Sequence, residues 1–443
     1  MNNSISKEFT VGSLIRFAMP TTLMMVILSL YTVVDGFFLS NFVGTDALSA
    51  TNLVYPFLNL IIAVSVMLAT GGSAVIARKM GEGKAGEARE SFTMITAVGF
   101  TAGVLIGLVG LLFLPQLVRL LGASGVLIPY CEDYLKILLI FAPASVLQIL
   151  FQTFFVTAGR PMLGLGLTIL AGLSNIVFDY IFIVQMKMGI AGAAWGTASG
   201  YLVPSVVGLL YFSAMRKGSL YFSKFGMEWK VLGESCFNGS SEMVNNLSAG
   251  IVTLLFNMIM LRYLGSDGVA AITVVLYSQF LLNALYMGFA MGVAPVISYN
   301  YGSENIAQLR RLFKICLGFI GISSVVIVVA AMALASPIVA LFSPKGTAVY
   351  DIAIVGFLLF SINYLFSGLN IFASGFFTAL SNGKVSAILS FLRTFVFIVV
   401  GILLLPRFLG VNGIWLSVPF AELMTLLFSA AYLWVGRNQY HYL

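Results

Sequence analysis

Charged side chains are scarce in this chain. They make up 9% of its 443 residues, whereas hydrophobic residues make up 60% and the mean hydropathy is +1.03. A soluble globular domain carries about 25% charged residues, so the composition excludes a soluble protein and indicates a polytopic membrane protein embedded in a lipid bilayer. In such a protein a net charge of +7 reflects basic cytoplasmic loops, and no nucleic-acid partner is predicted.

Histidine, paired cysteines and enzyme signatures are also scarce. His441 is the single histidine and lies in the C-terminal tail, which argues against a histidine metal site or histidine-based catalysis. The three cysteines are far apart and form no CxxC pair. The chain has no Walker A loop, no DDxxD and no GxSxG motif. We therefore predict a protein that is not an enzyme and carries no cofactor.

Long apolar runs are what the chain has in abundance. A stretch of about 20 apolar residues can cross the bilayer, and twelve such spans are predicted. They lie at 14–40, 53–77, 92–114, 133–158, 163–185, 191–215, 237–261, 270–297, 314–336, 351–380, 385–405 and 413–436. On this assignment 16 Lys and Arg residues share a side with the termini and 6 lie opposite, with Arg393 inside a span. The positive-inside rule then predicts that both termini are cytoplasmic.

The sequence also repeats itself. DGFFLSNFVGTDALSA (35–50) resembles FNMIMLRYLGSDGVAA (256–271), and one ungapped shift of 221 residues aligns Gly44 with Gly265 and Gly71 with Gly292. We therefore predict an all-α membrane protein with two homologous six-helix bundles. The expected division is an N-lobe at 1–215, a basic cytoplasmic linker at 216–236, and a C-lobe at 237–443. Parallel repeats of this kind are typical of transporters.

Four acids lie inside predicted spans, where a carboxylate is costly and therefore a functional candidate. They are Asp35, Asp179, Glu242 and Glu422. Asp35 and Asp179, on the first and fifth spans, are expected at similar depth. Asn175 lies one helical turn from Asp179. These oxygens could bind Na⁺ or share a proton, and a buried polar lock between the two spans is the alternative.

Three further first-half residues and a second-half group complete the candidates. Tyr31 lies one turn before Asp35, and Thr197 is expected at a compatible depth in the sixth span. Pro20 could be the point where the first span bends when the acid titrates, or it could be a static kink. In the second half, Glu242 is either an acid at a helix start or, with Asn245 and Asn246, a contact for a second ion or a cationic substrate. Arg393 is expected to pair with Glu422 or Glu242.

The motifs together resemble a known family. FAMPTTLMM, YTVVDGFFLSNFVGTDALSA, LATGGSAVIARKMGEGK, NIVFD, GIAGAAWGTA and GIWLSVPFAE are similar to segments of the bacterial multidrug and toxic compound extrusion (MATE) transporters. The resemblance implies a V-shaped cleft between the two bundles. It also implies that Asp35, Asn175 and Asp179 bind the coupling cation, Tyr31 and Thr197 assist, and Pro20 bends. Some members carry a span-10 carboxylate that this chain replaces with Asn363 and Asn370.

The resemblance implies a function as well. We expect an antiporter driven by H⁺ or Na⁺ that exports small organic compounds, cationic or lipophilic, across the bacterial inner (plasma) membrane. A monomer is expected. The alternative is a flippase for lipid-linked precursors from the same broad superfamily. Such flippases often have extra spans and a basic cavity, whereas this chain has one clearly intramembrane arginine, Arg393.

Overall fold

The computed structural model describes residues 4–123 and 125–443, without the side chains of residues 32–37, 40, 41, 45 and 48. The described chain is helical and has no β-strand. Nine of its helices are long and apolar enough to cross a membrane, and two bent helix pairs raise that number to eleven. The helix Trp229–Gly302 has 74 residues, which corresponds to about 110 Å. That length exceeds one bilayer, and Gly265, with φ 67° and ψ −154°, divides the helix into two spans.

Twelve spans therefore result, as predicted. They are span 1 Val11–Phe38, span 2 Thr45–Gly81, span 3 Ala85–Leu112, span 4 Leu127–Ile140 with Ala142–Thr157, span 5 Pro161–Asp179 with Tyr180–Gln185, span 6 Gly189–Ala214, spans 7 and 8 Trp229–Gly302, span 9 Ile306–Ala333, span 10 Ala348–Ser361 with Tyr364–Ala379, span 11 Gly383–Phe391 with Leu392–Val396 and Phe397–Leu409, and span 12 Ser417–Tyr440. Short helices precede spans 4, 10 and 12, at Leu114–Leu120, Ala335–Phe342 and Val411–Trp415.

The internal repeat is visible in the helix boundaries. Spans 3 and 9 begin 221 residues apart and end 221 residues apart. Spans 4 and 10 are both bent, by 55° and 53°. Pro143 stands at the start of the second helix of span 4, where it lacks the N–H that a continuous helix needs. The apolar pattern predicted one span at each place and did not indicate the bends, because hydropathy carries no information about direction.

Reciprocal glycine contacts join the two halves. Gly71 on span 2 packs against the backbone of Ser235 and Gly239 on span 7, and Gly292 on span 8 packs against Ala18 on span 1. A 221-residue shift relates Gly71 to Gly292, so the same contact is made twice. Gly81 against Tyr299 and Gly302 against Arg78 form a second such pair. A missing side chain permits this close approach of helices in a membrane.

Segments close to both ends of the described chain contact neighbouring helices at one end of the molecule, called here the terminal end. Ser4 Oγ donates a hydrogen bond to the carbonyl of Gly159 in the first half. In the second half, Gln308 Nε2 donates to the Phe9 carbonyl at 3.3 Å, and Arg310 Nε donates to the His441 carbonyl at 2.8 Å. The terminal segments therefore contact both halves.

The hydrophobic core shows how the halves are arranged. One cluster extends through the first half and continues into the second half through residues such as Phe289, Val296 and Phe313. A separate cluster, with Phe256, Phe357 and Trp415, contains second-half residues alone. The bundles therefore share a core in one region and have separate cores in another, which is the arrangement of a V-shaped pair.

The seventh span begins eight residues before its predicted boundary of 237, as the second and ninth spans do before theirs. Its helix begins at Trp229, because the polar residues after Trp229 extend the helix beyond its apolar part. Glu242 consequently lies well inside a helix, and the interpretation of Glu242 as an acid at a helix start is wrong.

Candidate ion and substrate sites

Spans 5 and 6 pack through glycines spaced four residues apart. Gly192, Gly196 and Gly200 occupy one face of span 6. A methyl group added at Gly196 would overlap the Asp179 carboxylate, and one at Gly200 would lie 3.4 Å from Asn175 Cβ. The carboxylate of Asp179 therefore lies directly against the backbone of span 6. Glycine is the residue that leaves room for it.

The polar side chains at this contact are buried. Asn175 is 2% exposed and Asp179 is 0% exposed. Among the described residues, neither Oδ1 nor Nδ2 of Asn175 has a hydrogen-bond partner, and the buried Oγ1 of Thr197 has none. Buried polar atoms without partners are rare in native proteins and call for an explanation. An amide oxygen one turn from a buried carboxylate is a suitable pair of ligands for a small cation, and the Thr197 hydroxyl belongs to the helix that packs against them.

The helix changes its geometry next to this group. Span 5 passes from α-helix to a π-helical turn immediately after Asp179, at Tyr180–Gln185. Span 1 makes the same change at Leu39–Val43. Short π-helical turns inside α-helices occur frequently at functional sites, because they redirect side chains and free backbone groups.

The other first-half candidates are Tyr31, Pro20 and Asp35, and the structure describes the side chains of the first two. Tyr31 Cβ would lie 3.9 Å from a methyl group placed on Gly172, so Tyr31 faces span 5 one turn before Asn175. Pro20 is buried within the uninterrupted helix Val11–Phe38. The side chain of Asp35 lies outside the described residues, and its place in the cation site stays a prediction.

A second polar group lies between spans 10, 11 and 12. Arg393 Nη1 is 3.7 Å from Glu422 Oε1, so the Arg393–Glu422 pair is present. Asn370 Nδ2 donates to Glu422 Oε2 at 2.7 Å, and Ser429 Oγ donates to Asn370 Oδ1 at 2.9 Å. Glu422 thus accepts a hydrogen bond from an amide and lies at ion-pair distance from a guanidinium.

Glu242 lies near this group but is bound differently. Asn245 Nδ2 donates to Glu242 Oε2 at 3.3 Å, and Arg393 interacts with Glu242 electrostatically. Asn246 uses its side chain on its own helix, donating to the Glu242 carbonyl at 2.8 Å. The Asn246 carbonyl accepts a hydrogen bond from Asn59 in the first half. Asn246 therefore joins the halves, and its amide is not presented to a ligand.

A cavity lies between the two halves. It contains about 730 Å³ of empty space, part of it open to solvent, and is lined by residues of spans 2, 4, 7, 8, 10 and 11. Glu242 and Arg393 are its ionisable lining residues, and Met287 and Met291 contribute flexible apolar surface.

Hydroxyl groups form a network that the sequence interpretation missed. Ser374 Oγ lies 2.9 Å from both Ser386 Oγ and Ser390 Oγ, and Thr378 Oγ1 lies 2.7 Å from Ser386 Oγ. Ser374, Thr378 and Ser390 also line the cavity. The available signal was their spacing, because 374 and 378, like 386 and 390, are four residues apart on a helix.

An ion pair across the halves was also missed. Arg78 on span 2 donates to both carboxylate oxygens of Glu234 on span 7, at 2.5 and 3.1 Å, and to Ser381 Oγ at 2.8 Å. A bidentate guanidinium–carboxylate pair has defined geometry as well as charge. This group lies beside the Arg78–Gly302 backbone contact.

The sequence profile of the MatE family matches residues 20–181 and again residues 243–403. Together the two matches cover well over half of the chain, one in each half. The chain belongs to the MatE family.

Proteins similar to this MatE chain include two bacterial exporters. The multidrug export protein MepA of Staphylococcus aureus (strain MRSA252) is 23% identical over 437 residues, covering 96% of this chain and 94% of MepA. MepA of Staphylococcus haemolyticus (strain JCSC1435) is 24% identical, covering 97% and 96%.

Solved structures share the MatE fold. MATE in complex with MaL6 has a TM-score of 0.93 and 22% identity, and 100% and 99% of the two chains are covered. An outward-facing multidrug resistance MATE family transporter of the MOP superfamily has a TM-score of 0.91 and 23% identity, with 98% and 97% covered. At these identities the likeness establishes the fold.

Proposed function

We propose that this MatE protein is a cation-coupled antiporter that exports organic cations from the bacterial cytoplasm. The observation that carries the proposal is the pairing of two separate polar sites. One is the buried Asp179 with Asn175 inside the first half. The other is a cavity between the halves that holds Glu242. Because the two sites are separate, ion binding and substrate binding can influence each other through a change of conformation.

The first-half site would bind the coupling ion. Asp179 supplies the charge, Asn175 and Thr197 supply neutral oxygens, and Asp35 and Tyr31 complete the set on span 1. An entering cation gains about 2.3 kcal/mol per 100 mV of membrane potential. Both H⁺ on a carboxylate and Na⁺ among oxygens fit this composition.

The cavity would bind the substrate. Glu242 attracts a cationic group, and Met287 and Met291 adapt to different apolar shapes. If ion binding favours the conformation with weak substrate affinity, substrate must weaken ion binding by the same factor. This reciprocal weakening is the thermodynamic basis of exchange. The protein would act as a monomer, with the terminal end in the cytoplasm.

Reconstitution in proteoliposomes tests the proposal. A pH gradient and a Na⁺ gradient, imposed separately, should show that one of them drives transport of a lipophilic cation such as tetraphenylphosphonium. A parallel assay should follow the flipping of a fluorescent lipid-linked pyrophosphate. Transport of the cation in neither gradient, together with lipid flipping, would replace the antiporter with the flippase.

A further inference from the structure

Three ionisable groups form a cluster beside the cavity between the halves. Glu242 and Arg393 line the cavity, whereas Glu422 is not among its lining residues. Glu422 is 6% exposed and Arg393 is 14% exposed. Arg393 and Glu422 are thus largely removed from water, and Glu242 is partly buried, so the number of charges matters more here than at a fully exposed surface.

The charges of the three groups do not cancel. Arg393 pairs with Glu422 at 3.7 Å, and Asn370 also donates to Glu422. Glu242 has a weaker neighbour, the neutral amide of Asn245 at 3.3 Å. With both acids ionised the group carries one excess negative charge, and that charge belongs to the acid facing the cavity.

An ion pair between spans 11 and 12 does not by itself account for the position of Arg393. Its distance to Glu422 is too long for a hydrogen bond, and its buried Nη1 has no hydrogen-bond partner among the described residues. The π-helical turn Leu392–Val396 carries Arg393, and turns of this kind occur at functional sites. The guanidinium stays at the cavity wall instead of closing onto Glu422.

We propose that Arg393 is a specificity-determining residue that restricts the cavity to organic cations with a single positive charge. The inference rests on the proposed function, since it concerns the substrate of that same cavity. One bound monocation neutralises the group of Glu242, Arg393 and Glu422. A dication would leave one excess positive charge in a poorly hydrated site, which is unfavourable.

Two planar cations of nearly equal shape provide the test. 1-Methyl-4-phenylpyridinium carries one charge, and N,N′-dimethyl-4,4′-bipyridinium carries two. Their dissociation constants would be measured on the purified full-length protein. Wild type should bind the monocation more tightly. Arg393→Gln should shift the ratio of the two constants toward the dication by about tenfold, because the group then carries two excess negative charges.

Two controls separate charge from structure. Arg407→Gln, at the exposed end of the same span, should leave the ratio unchanged. The double variant Arg393→Gln with Glu422→Gln removes one charge of each sign, restores a single excess negative charge, and should return the ratio to the wild-type value. This variant also avoids an unpaired buried acid should Arg393→Gln alone fail to fold. If Arg393 has only a structural role, the ratio in the double variant should not return to the wild-type value.

The outcomes are distinct. An unchanged ratio in Arg393→Gln, with both probes still bound, overturns the inference and leaves cation export standing. A double variant that keeps a shifted ratio also overturns it. Binding of neither probe by wild type overturns the proposed cation substrate and the inference with it.

Discussion

The contact between Asp179 and Gly196 shows what single residues contribute. The spacing of Asn175 and Asp179 predicts that both share one face of span 5, and the structure shows both buried. The surface opposite them could not be predicted, because contacts between spans do not follow from one sequence. The four-residue glycine spacing in GAAWGTASG was the accessible signal.

Replacing Gly196 with alanine should disturb the ion site. The new methyl group would displace the Asp179 carboxylate, at a cost of about 1–3 kcal/mol for overpacking. We expect gradient-driven transport to fall at least about tenfold in proteoliposomes. Gly166→Ala on span 5 is the matched control, because a methyl group there has no neighbour within 4 Å. Equal activity of the two variants would contradict this account of Gly196.

Glu422 should contribute more to stability than an acid at the terminal end. Glu422→Ala removes the buried carboxylate that pairs with Arg393 and accepts a hydrogen bond from Asn370, so we expect a loss of about 3 kcal/mol. Glu234→Ala breaks a pair whose members are 20% and 31% exposed, and should cost about 1 kcal/mol or less. Thermal unfolding in detergent would compare them. A smaller loss for Glu422→Ala would contradict the assignment of a buried, hydrogen-bonded carboxylate.

At the scale of elements, the sequence predicted the number and type of the helices but not their bends or contacts. Twelve apolar runs gave twelve spans, because bilayer thickness fixes their length. The bends in spans 4 and 10 and the π-helical turn that carries Arg393 leave no mark in hydropathy. The Arg78–Glu234 pair between spans 2 and 7 was missed because both residues were counted as ordinary loop charges.

The Arg78–Glu234 pair should hold spans 2 and 7 together. Arg78→Glu and Glu234→Arg each place like charges at this contact, so we expect each to reduce transport severalfold. The double exchange restores opposite charges and should recover part of the activity. Proteoliposome transport of a lipophilic cation measures all three. Recovery is incomplete because Arg78 also donates to Ser381. No recovery at all would show that the charge pairing is unimportant.

For the whole molecule, the 221-residue repeat predicted two related bundles, and the reciprocal glycine contacts show the relation in space. The relative position of the bundles could not be predicted, because it depends on packing between residues far apart in the chain. Gly71 and Gly292 were aligned by the repeat, but nothing in that alignment indicated that both lie where the halves meet.

Filling the glycine contact should separate the halves at the terminal end. Gly239→Val would force the span 7 backbone away from Met67 on span 2, whereas Gly250→Val on the same span meets no neighbour within 4 Å. Spin labels on the exposed residues Lys84 and Lys384 would report the distance by double electron–electron resonance, in a protein without native cysteines. We expect a longer distance for Gly239→Val alone. An unchanged distance would show that this glycine contact does not hold the halves together.

The central claim is that a cation bound at the first-half acids drives export. The direct measurement is gradient-driven transport of a lipophilic cation by wild type and by the Asp35→Asn, Asp179→Asn double variant, reconstituted side by side. The account predicts that the variant folds, inserts and still binds the substrate, yet shows no response to either a pH or a Na⁺ gradient. Full gradient-driven transport by that variant would contradict it.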